Sequence, residues 1–153
     1  MLRKIACFSL LLLLFACKPN NTNNSAISVA DAAKPNTQSI QQMDAGAIVE
    51  AFGAQRNLPL VQGGGMVKKV LKDDTKGSQH QKFLLQVSDN ITILIAHNID
   101  LAPRVADIKE GDTVEYKGEY IYTPKGGTVH WTHKDPRGTH QGGWLKHNGK
   151  TYE

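Results

Sequence analysis

The sequence predicts a mainly β protein: a small OB-like five-stranded antiparallel barrel, with a short helix between strands 3 and 4, an N-terminal helix and a C-terminal hairpin. Three observations predict it. Apolar residues alternate with polar ones from Met66 onward, the period of a half-buried strand. Turn-forming clusters punctuate that stretch, and the order of three strands, a short helix and two strands is that of the five-stranded Greek-key barrels that bind oligonucleotides and oligosaccharides. A generic small antiparallel barrel or an SH3-like one shares the same local signals.

Along the chain, residues 1–16 read as a signal peptide. Arg3 and Lys4 give a positive start, and the apolar run Ile5–Ala16 is too short to span a bilayer. The run ends in Leu14-Phe15-Ala16-Cys17, which resembles the bacterial lipobox and makes Cys17 the expected lipidation site and membrane anchor. Lys18, rather than an aspartate, follows Cys17; by resemblance to the lipoprotein sorting rule this favours the outer membrane, on its periplasmic side. Residues 17–38 are polar and rich in Asn, Ser, Ala and Pro, a flexible tether that cannot bury enough apolar surface to fold.

Residues 39–60 read as a helix and linker. Ser39 can cap a stripe of Ile40, Met43, Ala47, Ile48, Ala51 and Phe52, which Gly53, Asn57 and Pro59 then end. Residues 61–153 form the barrel domain. Gly63-Gly64-Gly65 reads as a hinge before a first strand at Met66–Leu71. A second strand covers Gln81–Val87 and a third Ile91–His97. Leu101–Ile108, with Pro103 near its start, reads as one or two helical turns. A fourth strand covers Thr113–Tyr122, where Gly118 permits the bend that closing a small barrel needs, and a fifth Gly127–His133. Gly143–His147 and Lys150–Tyr152 flank Asn148-Gly149, a strong hairpin signal. Val67, Phe83, Leu85, Ile93, Ile95 and Val114 are expected to point inward.

Several function classes are excluded by what the barrel domain contains. Both cysteines of the chain are Cys7 and Cys17, so the folded domain has no disulfide, zinc-thiolate site or thiol nucleophile. No Gly-x-Ser-x-Gly, phosphate loop or Gly-x-Gly-x-x-Gly occurs, so serine hydrolases and nucleotide-dependent enzymes lack their signatures. The formal charge of +4 falls to +2 once Arg3 and Lys4 leave with the signal. Such a charge permits a nucleic-acid partner without indicating one.

The polar residues gather at one expected rim. In an antiparallel meander with the third and fifth strands parallel, Asp73, Asp74, His80, Gln81, His97, Asn98 and Asp100 share one end of the barrel with His130, His133 and Asp135, and Trp131 and Arg104 are further candidate ligand-binding residues. Neutral imidazoles bind metals and also titrate near neutral pH, so His80, His97 and His130 are candidate ligands for a divalent metal, the cofactor these residues admit. The same set can equally be structural, the histidines satisfied in place and the Asn and Asp residues shaping turns. Gly138–Gly143, carrying Thr139, His140 and Gln141, reads as a flap over this rim. Trp131 and Trp144, near Lys125, Lys134, Arg137 and Lys146, could stack bases or sugars or belong to the core.

The segments Asp73-Asp74-x-x-Gly77-x-x-His80-Gln81, Ala96-His97-Asn98-Ile99-Asp100-Leu101-Ala102-Pro103-Arg104, Gly118-Glu119-Tyr120 and His130-Trp131-Thr132-His133-Lys134-Asp135-Pro136 resemble a bacterial domain family of unknown function, numbered 3465, from about Val61 to Tyr152. The resemblance implies a small exported domain and carries no assigned activity. The expected function is therefore a lipid-anchored binding module of the cell envelope, holding a ligand or a divalent metal at the rim. The alternative is a metal-dependent phosphodiesterase or nuclease using the same rim, in which a histidine-bound cation activates water and Arg104 or Arg137 steadies the phosphate.

Overall fold

The computed structural model of the protein describes residues 45–153. The signal peptide, Cys17, the tether and the expected helix start at Ser39 lie outside the described residues. Helix α1 (Gly46–Gly53) comes first. Seven strands follow: β1 (Leu58–Val70), β2 (His80–Gln86), β3 (Thr92–Asn98), β4 (Thr113–Ile121), β5 (Thr128–His130), β6 (Trp144–His147) and β7 (Lys150–Tyr152). The strand order β1-β2-β3-β5-β4 returns to β1 through a β1–β4 pairing, so five strands close into a barrel, and β6 and β7 extend from β4. β3 and β5 run parallel, the arrangement expected from the meander order.

Alternation sets the inside from the outside. Every second residue of β2, β3 and β4 is buried, and Phe83, Leu85, Ile93, Ile95 and Val114 are fully so, with Val67 at 1% exposure. Tyr116, Tyr120, Val129 and Leu145 are buried in the same core. Each such side chain contributes about 1.5–3 kcal/mol by leaving water. Helix α1 buries Ile48 and Ala51 in the same cluster. It is stopped by Gln55 in a left-handed conformation, with the Arg56 N–H reaching back to the Ala51 carbonyl and the Gln55 N–H to Phe52, the Schellman arrangement. Phe52 then meets the Tyr122 ring at 5.7 Å, and Asn57 Oδ1 accepts the Tyr122 N–H, which seats the helix where β1 begins and β4 ends.

Two expectations are corrected. Gly63-Gly64-Gly65 is no hinge: the three glycines are buried inside β1, paired with Tyr116, Glu115 and Val114. At Met66 the strand is paired to Thr113 of β4 and also to Gln86 of β2, so it changes partners there. A side chain at Gly65 would place a Cβ 2.3 Å from the Gln86 carbonyl oxygen. Gly65 is a close-packing requirement, and the strand starts at Leu58 rather than at the expected Met66, since residues with no side chain hide the apolar period. Nor does Leu101–Ile108 form a helix. It is a run of turns, because the Val105 N–H and carbonyl are taken by the buried amide of Gln81, at 2.9 and 3.0 Å, and no longer serve a helical ladder.

Gly118 serves a close approach of strands: a Cβ there would lie 2.3 Å from the His130 carbonyl oxygen, where β4 and β5 come together. Gly118→Ala should therefore lower unfolding stability by about 1–3 kcal/mol, the cost of overpacking, measured by urea denaturation. Gly53→Ala, at a helical position with open space, should raise stability by up to about 1 kcal/mol. Equal effects at the two glycines would refute the closure argument.

Candidate functional site

His97 lies at the end of β3 and points into the barrel, fully buried, opposite Gln81 on β2. A carbonyl can only accept, so the 3.1 Å contact to Pro103 O fixes the ring hydrogen on Nε2. Nδ1 then accepts from the Thr132 hydroxyl at 2.8 Å. One neutral imidazole thus ties the connection after β3 to the loop after β5. Burial holds its pKa below the ordinary 6.5; the bond to Pro103 works against that shift, and nearby His133 and His80 add to it.

The other histidines are dispersed. His80 and His130 are on the outer face, where both line a shallow groove of about 430 Å³ with Lys82, Leu94, Ala96 and Thr128. His80 donates Nδ1–H to Ser78 O, and His130 Nε2 lies 3.4 Å from Glu119 without a hydrogen-bond alignment. The expected metal set of His80, His97 and His130 is therefore not assembled: His97 faces inward and spends both nitrogens, whereas the other two face outward. Among the described residues no group of three or more His, Cys, Asp or Glu is placed to hold a metal ion.

Most of the remaining candidates shape the loops. Arg104 makes a two-pronged pair with Asp73 at 2.9 and 3.0 Å, and Asn98 Oδ1 accepts the Asp100 N–H. Asp135 takes the backbone N–H groups of Arg137, Thr139 and His140 and the Thr139 hydroxyl. Those donors, led by the Arg137 and His140 amides, lower its pKa to about 2. His133 is buried and donates Nδ1–H to Lys134 O at 2.7 Å. Trp144 sits on β6 opposite Lys117.

Trp131 differs from all of these. β5 ends at His130, short of the expected His133, because Trp131 adopts a left-handed φ of 56°, which is uncommon for a bulky residue. Its indole contacts two imidazoles, both tilted against it, His133 at 5.1 Å and His140 at 4.4 Å, and its Nε1–H is buried without a partner. Beside it opens a cleft of about 520 Å³ lined by Leu101, Trp131, Asp135, Pro136, Arg137, Thr139 and His140. Leu101 is 46% exposed, on the connection that His97 holds through Pro103. Across the cleft stands the loop His97 holds through Thr132. Sequence reasoning noticed Trp131, Asp135, Arg137 and the glycine-rich loop, and missed Leu101 as a wall and His140 as the partner of the indole. The signal was present in Trp131 and His140 flanking a loop that Asp135 folds back on itself.

These features define a small closed β-barrel with an aromatic cleft between two rim loops. The family model described as protein of unknown function (DUF3465) matches residues 32–153, and the chain belongs to that family. No curated protein matches it. No helix among the described residues is long and apolar enough to cross a membrane.

The depressed pKa of His97 has a definite sign. The unfolded chain takes up a proton near pH 6.5 and the folded one only at lower pH, so stability is full above about 6.5 and falls as pH drops below it. His97→Gln should lower stability at pH 7.5 by about 1–3 kcal/mol and flatten the decline between pH 7 and 5, measured by urea midpoints. An equally steep acid decline in the variant would exclude His97 as its source.

Proposed function

We propose that this protein is a non-catalytic binding module of the bacterial cell envelope, anchored by a lipid on Cys17, whose ligand seats in the Trp131 cleft. The observation that carries the reading is Trp131 itself. A left-handed bulky residue stores about 1–3 kcal/mol of backbone strain, and such strain clusters at ligand clamps. Here it turns the indole toward a cleft whose two walls are fixed from beneath by one buried imidazole.

The strand order, with parallel β3 and β5, supports reading the barrel as OB-like, with a tied loop in place of the inter-strand helix. Binding is favoured over turnover because Asp135 is engaged in its own loop, His97 with Thr132 and Pro103, and Arg104, the side chain that would steady a phosphate, with Asp73. The phosphodiesterase or nuclease alternative needs ligands converging on one ion, and its three histidines divide between the inside and the outside of the sheet. The lipobox-like Leu14–Cys17 and Lys18 support an outer-membrane anchor facing the periplasm.

Two measurements test this. Uncharged aromatic fragments such as indole or benzamide, titrated into isotope-labelled full-length protein in detergent, should shift the amides of Leu101, Trp131, Thr139 and His140 above all others. Shifts scattered over the barrel, or confined to the groove between His80 and His130, would end the cleft reading. Cys17→Ser should move the exported protein from the membrane to the soluble envelope fraction; a wild-type protein already soluble after export would end the anchor reading.

A further inference from the structure

The two rings on the indole are held unequally. His133 is 2% exposed and its Nδ1–H is fixed on Lys134 O, so that contact is part of the built structure. His140 lies in an exposed run from Pro136 to Gln141. Its ring has one hydrogen bond, from Nδ1–H to the adjacent Gln141 carbonyl at 2.9 Å, and a contact with the Trp131 ring at 4.4 Å, tilted by 50°. One contact on the indole is therefore permanent and the other is made by a replaceable ring.

The charges at the cleft are unequal in the same way. Asp135 faces four donors from its own loop, so its negative charge is compensated locally. Arg137, the cation lining the cleft, makes no ion pair among the described residues, and its side chain is exposed. A planar guanidinium next to an aromatic surface suits a phosphate or carboxylate carried on a ring. Leu101 offers the ring an apolar edge.

We infer that this cleft takes a ring bearing one anionic group: the ring's flat face displaces His140 from the indole of Trp131, and the anion pairs with Arg137. The inference rests on the cleft being the binding site and adds the chemistry of its occupant. A nucleoside monophosphate and a sugar acid both carry it.

The test titrates the full-length protein in detergent with adenosine 5′-monophosphate and with glucuronate, each against its neutral parent, adenosine and glucose. The readouts are the Trp131 indole N–H resonance and the dissociation constant. At least one anion should bind about tenfold more tightly than its parent, and which one does identifies the ring. Arg137→Gln should abolish that tenfold difference. His140→Ala should tighten binding of the anion, since no internal ring competes.

If neither anion outbinds its parent, or if none of the four probes binds, the inference is overturned. Weaker binding in His140→Ala would overturn the displacement. The uncharged fragment map judges the cleft separately, so the loss of one does not decide the other.

Discussion

A single strand, β1, closes this molecule. It is hydrogen-bonded to β4 through its first half and to β2 through its second, and the exchange happens at Met66. A strand that bends sharply enough to serve both neighbours brings its backbone within contact distance of the strand it joins, and at Gly65 there is no space for a side chain. Without that exchange the five strands would be an open sheet with two unpaired edges. The inward alternation of β2, β3 and β4 would then face solvent on one flank. The core, the seat of α1 and the relative height of β3 and β5 at the rim all follow from this closure.

The barrel's rim end is finished by polar groups. Gln81 and His97, side by side on β2 and β3, hold the connection after β3 by its backbone: the amide on Val105, the imidazole on Pro103. Buried polar groups are tolerated when every partner is supplied, and here the partners are the peptide groups of a loop that would otherwise leave the rim. The clamp has a second consequence, because the other nitrogen of His97 reaches Thr132. The imidazole first read as a ligand is instead the strut that sets the spacing between Leu101 and Trp131.

Much of the fold was legible because alternation is a direct record of which side of a sheet a residue occupies. Phe83, Leu85, Ile93 and Ile95 could be assigned inward from period alone. Gly63–Gly65 could not, since glycine carries no inside or outside and looks alike in a hinge and in a crowded strand. Leu101–Ile108 has helical composition; what overrides it is the Gln81 side chain, 24 residues before the Val105 it holds, and local patterns do not report long-range hydrogen bonds. The site was half legible. Chain direction brought the right loops to one rim, but strand parity, available in the sequence once the strand limits are known, sends His97 inward and His80 and His130 outward. Trp131's conformation left no trace in the sequence, because the cause of a left-handed backbone is tertiary.

The shortest strand of the closed barrel carries the last consequence. β5 has three residues, and its register with β3 consists of Leu94 with Thr128 and Ile95 with Val129. It is the thinnest stretch of the barrel's girth, the place where local opening needs the fewest hydrogen bonds to break. His97 and Trp131 stand just beyond this seam, so the two cleft walls belong to the two strands that would part. On the proposed reading, a ligand lodged between them would act as a stitch across the seam, and its binding energy would show as slower exchange of the β5 amides. Recognition at the rim and integrity of the barrel would then be one mechanical quantity.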